Sequence, residues 1–223
     1  MVAGEKMVAP DGYEVCLFPM PYMYISQGEN GNISHHGTMN IDFIGWGASG
    51  RVYDAPLYAP VSCRCVRTLD SQNNGRIFQS LNKVHCADGS LQYINWLFFH
   101  DENPIASPGD TFDQGDLIGH TGTAGQVTGD HSHMNFANGQ YAGWEYVPPQ
   151  NHGQLVNSWQ IYDICYVNNT VVVYDYGYPW VVYNGSTIGS VKQSKFPWVL
   201  YARKLRSRYW RYINNLIKYR EKV

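Results

Sequence analysis

The chain has no apolar run long enough to cross a bilayer; T-V-V-V-Y, its most continuous β-branched stretch, stops at Asp175. No transmembrane segment is therefore expected. The first residues, M-V-A-G-E-K-M-V-A-P-D, lack the apolar centre of a secretory signal, so any work outside a cell needs another route of delivery. Cysteine is scarce, with Cys16, Cys63, Cys65, Cys86 and Cys165 only. An odd count without a C-x-x-C spacing argues against a disulfide framework. Cys63 and Cys65 would share a strand face and Cys86 adjoins His85, so a structural zinc site is one reading; buried thiols, the commoner state, are the other. A phosphate loop is missing too. The glycines of G-D-L-I-G-H-T-G-T-A-G are followed by neither a Lys-Ser/Thr pair nor a helix, and read instead as letting backbone pass close to a substrate.

What is present points to strands. Alanine and leucine are few, whereas 22 Gly, 18 Tyr and 7 Trp accompany many short β-branched or aromatic runs. A length of 223 residues suits one good core with a small appendage. Charge is uneven: residues 192–223 carry ten of the 16 Lys and Arg and a single acid, for +9, against −11 for the remainder. From about Pro197, Leu205, Tyr209, Tyr212, Ile213, Leu216 and Ile217 recur at three and four, as in an amphipathic helix. The expected organisation is a β domain over residues 1–190 and a basic helical tail over residues 191–223. The tail either packs on its own domain or reaches an anionic partner.

In chain order, V-C-L-F and Y-M-Y-I read as edge strands within residues 1–26, and a turn-rich loop leads to H-H-G-T-M-N-I-D-F-I-G. Asp42, flanked by Ile41 and Phe43 in mid-strand, is unfavourable unless a cation matches its charge. The histidines just upstream supply a co-ligand. Residues 55–69 read as a strand after a Pro-bounded turn, Asn74-Gly75 as a hairpin signal, and residues 91–100 as a strand ending on His100. Residues 137–157 read as a long irregular stretch of the kind that rims binding sites. Three strand-like runs follow: W-Q-I-Y-D-I-C-Y-V, T-V-V-V-Y-D-Y and W-V-V-Y.

The stretch G-Q-V-T-G-D-H-S-H-M-N-F organises the rest. Alternation on a strand places His131, His133 and Asn135 on one face and Met134 and Phe136 in a core. Two residues of strand rise, about 6.5–7 Å, separate the two histidines, which suits one as a metal ligand and the other as a group touching water or substrate. His85, His120 and His152 read as structural or solvated.

His35-x-Gly37 with Asp42 downstream, Phe98-Phe99-His100, I-G-H-T-G-T-A-G and D-H-S-H-M-N-F stand in one order over residues 24–137. Together they resemble the lysostaphin-type zinc metallo-endopeptidases, which cut peptide bonds in bacterial peptidoglycan. The resemblance implies a mostly β fold, an antiparallel sheet domain whose groove is walled by loops. It implies zinc held by His35, Asp42 and His133, with His100 and His131 as the non-ligand catalytic histidines. Two histidines and a carboxylate with an open fourth position is the pattern of a catalytic zinc. Four residues, T-M-N-I, separate Gly37 from Asp42 where the bacterial enzymes have one; that spacing looks like phage-borne members, in lysins and tail tips, and leaves His36 as a rival to His35. The implied partners are bacterial peptidoglycan and, through the tail, anionic wall polymers, with no nucleic acid. The implied location is the host cytoplasm before lysis or the virion tail, acting on the wall. Two other readings share the fold: a metal-free wall-binding module, and a structural tail component in which catalysis is secondary.

Overall fold

The structure, a computed structural model, describes residues 1–69 and 72–183. The basic helix expected over the tail, and the boundary expected at residue 190, lie outside the described residues. Within them the chain is mostly β, as expected. Its main sheet has nine strands: β1 (Tyr22–Gln27), β2 (Ile41–Phe43), β3 (Cys63–Leu69), β4 (Gly75–Ser80), β5 (Ile94–Phe99), β6 (Thr111–Phe112), β7 (Ser132–Asn138), β8 (Ser158–Trp159) and β9 (Val171–Tyr174). The order is β6-β3-β4-β5-β7-β2-β1-β9, with β8 also pairing with β7. All pairs are antiparallel except β1 with β9.

Alternation along the central strands buries both faces. On one face Trp96 of β5 stacks between its cross-strand neighbours, Phe78 of β4 at 5.6 Å and Phe136 of β7 at 5.9 Å. Such directly opposed aromatic pairs are the unit of sheet stabilisation. Met134, Ile41, Phe43, Met23 and Ile25 continue this core. On the opposite face Leu97, Phe99, Ala137 and Leu155 form a smaller cluster, and there the polar residues of the site emerge.

Several sequence expectations need correction. Residues 137–157 are not irregular: Trp144–Val147 pairs with His152–Leu155 in a hairpin whose turn contains Pro148 and Pro149, residues that break a strand signal. W-Q-I-Y-D-I-C-Y-V is not one strand. After β8 it forms a short helix, Ile161–Ile164, because Ile161 and Ile164, three apart, are the residues buried. Residues 55–69 split into Pro56–Tyr58 and β3. V-C-L-F and W-V-V-Y make isolated bridges only. β1 is not an edge, since β9 covers it.

The five cysteines are free, buried thiols. Cys63, Cys65 and Cys86 lie in the apolar core, and His85 Nε2 bonds to Asp11 Oδ2 at 2.8 Å, so the reading as plain thiols describes them. Among the described residues no helix is long and apolar enough to cross a membrane.

Candidate metal centre and its cleft

Sheet register builds the site. Phe99 of β5 opposes His133 of β7, His133 opposes Asp42 of β2, and Asp42 opposes Gln27 of β1. These four side chains form a single row across four strands. Gln27 would point into the core with Met23 and Ile25, but an irregularity in the β1–β2 register after Ile25 turns it into the row. Its Nε2 donates to Asp42 Oδ2 at 3.2 Å.

His35 descends onto this row from the loop between β1 and β2 and is wholly buried. Its Nε2 lies 3.1 Å from His133 Nδ1 and 3.2 Å from Asp42 Oδ1, and His133 Nδ1 lies 3.1 Å from Asp42 Oδ1. His36, beside it, is exposed to solvent. The loop is tied down by the 144–155 hairpin: Asn40 Nδ2 donates to the Gly153 carbonyl at 2.8 Å and Gln154 Oε1 accepts from the Met39 amide at 3.1 Å.

The donor set fits a metal ion. His35 Nδ1 faces the Gly28 carbonyl at 3.1 Å, so Nδ1 carries the proton and Nε2 presents a lone pair. That lone pair and Asp42 Oδ1 point at each other with no hydrogen to share, while the one proton available at His133 Nδ1 can serve only one of them. A cation resolves the conflict. Ligands about 2.0–2.1 Å from a tetrahedral zinc lie about 3.3 Å apart, close to the triangle observed. Among the described residues this is the one group of three such side chains whose ligand atoms all lie within 4.8 Å of one another. Burial alone would raise the Asp42 carboxyl, but the imidazoles of His133 and His35 packed against it outweigh that and hold it well below the usual range. Burial lowers His133 despite its bond to Asp42.

His100 and His131 face the same cleft from irregular backbone. His100 follows β5 with φ +83°, a left-handed conformation rare outside glycine. Its amide donates to the Asn73 carbonyl at 2.8 Å, and its Nδ1 donates to the Ala124 carbonyl at 2.8 Å. Burial lowers its pKa to about 4, so the ring is neutral near pH 7. His131 was expected on a strand face with His133, but it precedes β7 and pairs with Gly122 in an isolated bridge. The turn before it is pinned by the Asp130 carboxylate, which accepts from Thr121 Oγ1 at 2.7 Å and the Asp54 amide at 3.1 Å. His131 Nδ1 donates to the Gly129 carbonyl at 2.8 Å, leaving Nε2 3.7 Å from Asp42 Oδ1. The His100 and His131 rings stand 4.6 Å apart.

Asn135 does not reach the site: it is buried, and its Oδ1 accepts from the Leu155 amide and from Ser158 Oγ. Two glycines of the turn make room for neighbouring backbone and side chains. A Cβ on Gly122 would collide with the His100 carbonyl, and one on Gly119 would press on Asp101 Oδ2 at 2.9 Å.

A cleft of about 650 Å³ holds Asp42, His100, His131 and His133 and extends to Arg51, Tyr53 and residues 126–130. A second hollow of about 240 Å³ shares Ser34, Phe99 and His133 with it and is walled by Trp144, Tyr146 and His152. Sequence reading missed Gln27, Arg51 and Tyr53. No sequence signal marked Gln27, whose direction depends on the irregularity in β1, and Arg51 lies on a two-residue strand.

No family model matches the chain. In sequence it is similar to Morphogenesis protein 1 of Bacillus phage B103, with 39% identity over 170 residues, 76% of this chain and 44% of that protein. The chain thus spans less than half the length of that curated relative. Partial structural overlaps include a zinc-containing peptidase from Vibrio cholerae, with 18% identity, 60% of this chain, 43% of that one and a TM-score of 0.42. The catalytic domain of the prophage-encoded M23 protein EnpA from Enterococcus faecalis overlaps with 16% identity, 60% and 88% coverage, and a TM-score of 0.40. The catalytic domain of lysostaphin from Staphylococcus simulans overlaps with 18% identity, 53% and 80% coverage, and a TM-score of 0.38. The chain is similar to a phage protein, and in its ordered motifs it resembles the lysostaphin-type zinc metallo-endopeptidases of the phage-borne variety.

Proposed function

We propose that the chain is a zinc-dependent endopeptidase that hydrolyses peptide bonds of bacterial cell-wall peptidoglycan, in a stem peptide or a cross-bridge, in phage-mediated lysis or wall penetration. The observation that carries this reading is the meeting of His35 Nε2, Asp42 Oδ1 and His133 Nδ1 at 3.1–3.2 Å beside a cleft that also holds His100 and His131. The ordered motifs support the reaction class, and the similarity to a phage morphogenesis protein supports a phage-borne, virion-associated role.

In this reading His35, Asp42 and His133 hold the zinc. Two of the three are engaged behind the site in the way that orients metal ligands: His35 on the Gly28 carbonyl, Asp42 on Gln27. When bound, zinc supplies a Lewis acid that polarises the scissile carbonyl and makes water more acidic. Hydrogen bonds from Nδ1 of His100 and His131 to carbonyls turn the Nε2 of each ring toward the cleft. A nitrogen so placed takes a proton from the attacking water and returns it to the leaving amine. Residues 191–223 are proposed as a basic arm toward anionic wall polymers, on their charge alone.

The test is zinc content together with release of new amino termini from purified sacculi, read by mass spectrometry. One zinc per chain and new amino termini that a strong chelator abolishes are expected. Wall binding without zinc and without new termini would instead establish a metal-free wall-binding or tail component.

A further inference from the structure

The cleft is charged asymmetrically. Of the six Lys and Arg in residues 1–191, Arg51 is the one that lines it. Arg51 ends a short hairpin, Trp46–Gly47 with Gly50–Arg51, anchored where Trp46 stacks on Tyr24 of β1 at 4.7 Å. Its guanidinium lies 5.3 Å from the Tyr53 ring centroid, and one nitrogen donates to the Asp130 carbonyl at 2.6 Å. That carbonyl belongs to the residue before His131, so the positive charge sits on the His131 side of the cleft. Among the described residues no carboxylate lies within ion-pair range of Arg51. The nearby Asp130 carboxylate is buried and committed to Thr121 and Asp54. The side chain is thus held over a ring and by a single carbonyl, with further N–H groups directed by the same rigid fork and not consumed by an acid. On the other side of His133 the smaller hollow is walled by Trp144, Tyr146 and Phe99, with no acid and no Lys or Arg among its lining residues.

We propose that Arg51 makes the cleft selective for a peptide bearing a free carboxylate on the His131 side of the scissile bond, the aromatic hollow taking an uncharged segment on the other side. This rests on the endopeptidase reading. A planar fork matches a carboxylate with paired, charge-assisted hydrogen bonds, whereas a carboxamide offers half the acceptors and no charge. Because Arg51 is already oriented, little side-chain ordering opposes the contact.

The experiment compares purified muropeptide dimers with their stem carboxylates free or chemically amidated. The full chain is used as wild type, Arg51→Gln and Arg51→Lys, and kcat/KM is read from released amino termini. The proposal expects wild type to favour the free acid by about ten- to a hundredfold, the range of a hydrogen bond to a charged group. Arg51→Gln should cut that preference to about twofold while the amidated substrate changes little, and Arg51→Lys should keep part of it. Equal slowing of both substrates by Arg51→Gln would make the residue a tether for the His131 turn and overturn the proposal. So would wild type that cuts both forms equally. Wild type that releases no amino termini from either form, or from sacculi, would remove the endopeptidase reading and this proposal with it.

Discussion

The two groups of histidines around the cleft are positioned by different means. His133 and Asp42 stand opposite each other in regular antiparallel register, and His35 is lowered onto them until three ligand atoms lie 3.1–3.2 Å apart. His100 and His131 sit just outside strands, one in a left-handed conformation and one in an isolated bridge, and each is aimed by a carbonyl on its Nδ1. The difference teaches that sheet register sets two of the three proposed ligands, His133 and Asp42, while turns set His35 and the flanking pair His100 and His131. A pair of strands fixes distances to tenths of an ångström, whereas a turn can place a ring beside a substrate without drawing it onto the metal.

The largest effect expected is from breaking the triangle. His133→Ala or Asp42→Ala should abolish both bound zinc and sacculus cleavage, as seen by metal analysis and amino-terminus release. His35→Ala should do the same and His36→Ala should not, because His36 is exposed while His35 is buried against both other ligands. Next come the turn histidines: His100→Ala and His131→Ala should keep zinc yet slow cleavage by about 10²–10⁴-fold, the scale of a lost acid–base group.

A smaller effect sharpens the contrast from behind the triangle. Gln27→Ala frees Asp42 Oδ2 and should weaken zinc binding by about 10–100-fold in competition with a chelator, with the apo fold intact. Unchanged affinity would mean that the β1 irregularity has no part in the site.

The smallest effect concerns the loop that bears His35. Burial pushes the Glu29 carboxyl from its ordinary 4.5 up to about 7. Between those values the folded chain keeps a proton that the unfolded chain has released, so this group's contribution to stability falls as pH rises from 4.5 to 7. Glu29→Gln should therefore melt like wild type near pH 4.5 and higher above pH 7, by on the order of 10 °C. Parallel melting curves across that range would contradict the burial argument.

Much of the site was legible in the sequence because its residues break local rules. An aspartate between Ile41 and Phe43 asks for a cation, and the alternation from His133 to Phe136 places His133 opposite the core. Four positions of the resemblance, Asp42, His100, His131 and His133, line one cleft, and His35 lies buried against Asp42 and His133. What could not be read depends on contacts distant in sequence. The 144–155 hairpin hid behind two prolines. The conformation of His100 is imposed by Asn73 and Ala124. The role of Gly122 is evident only once the His100 carbonyl is seen against it. Ile161–Ile164 reads as a strand in sequence because its β-branched residues mask a spacing of three.

The most direct test of this division of labour is the zinc content of the His100→Ala/His131→Ala double variant beside that of His133→Ala, each assayed on sacculi. The double variant is expected to hold one zinc per chain and release no new amino termini, while His133→Ala holds none. A double variant that loses zinc as fully as His133→Ala would show that the turn histidines belong to the metal's own shell, and would contradict the account.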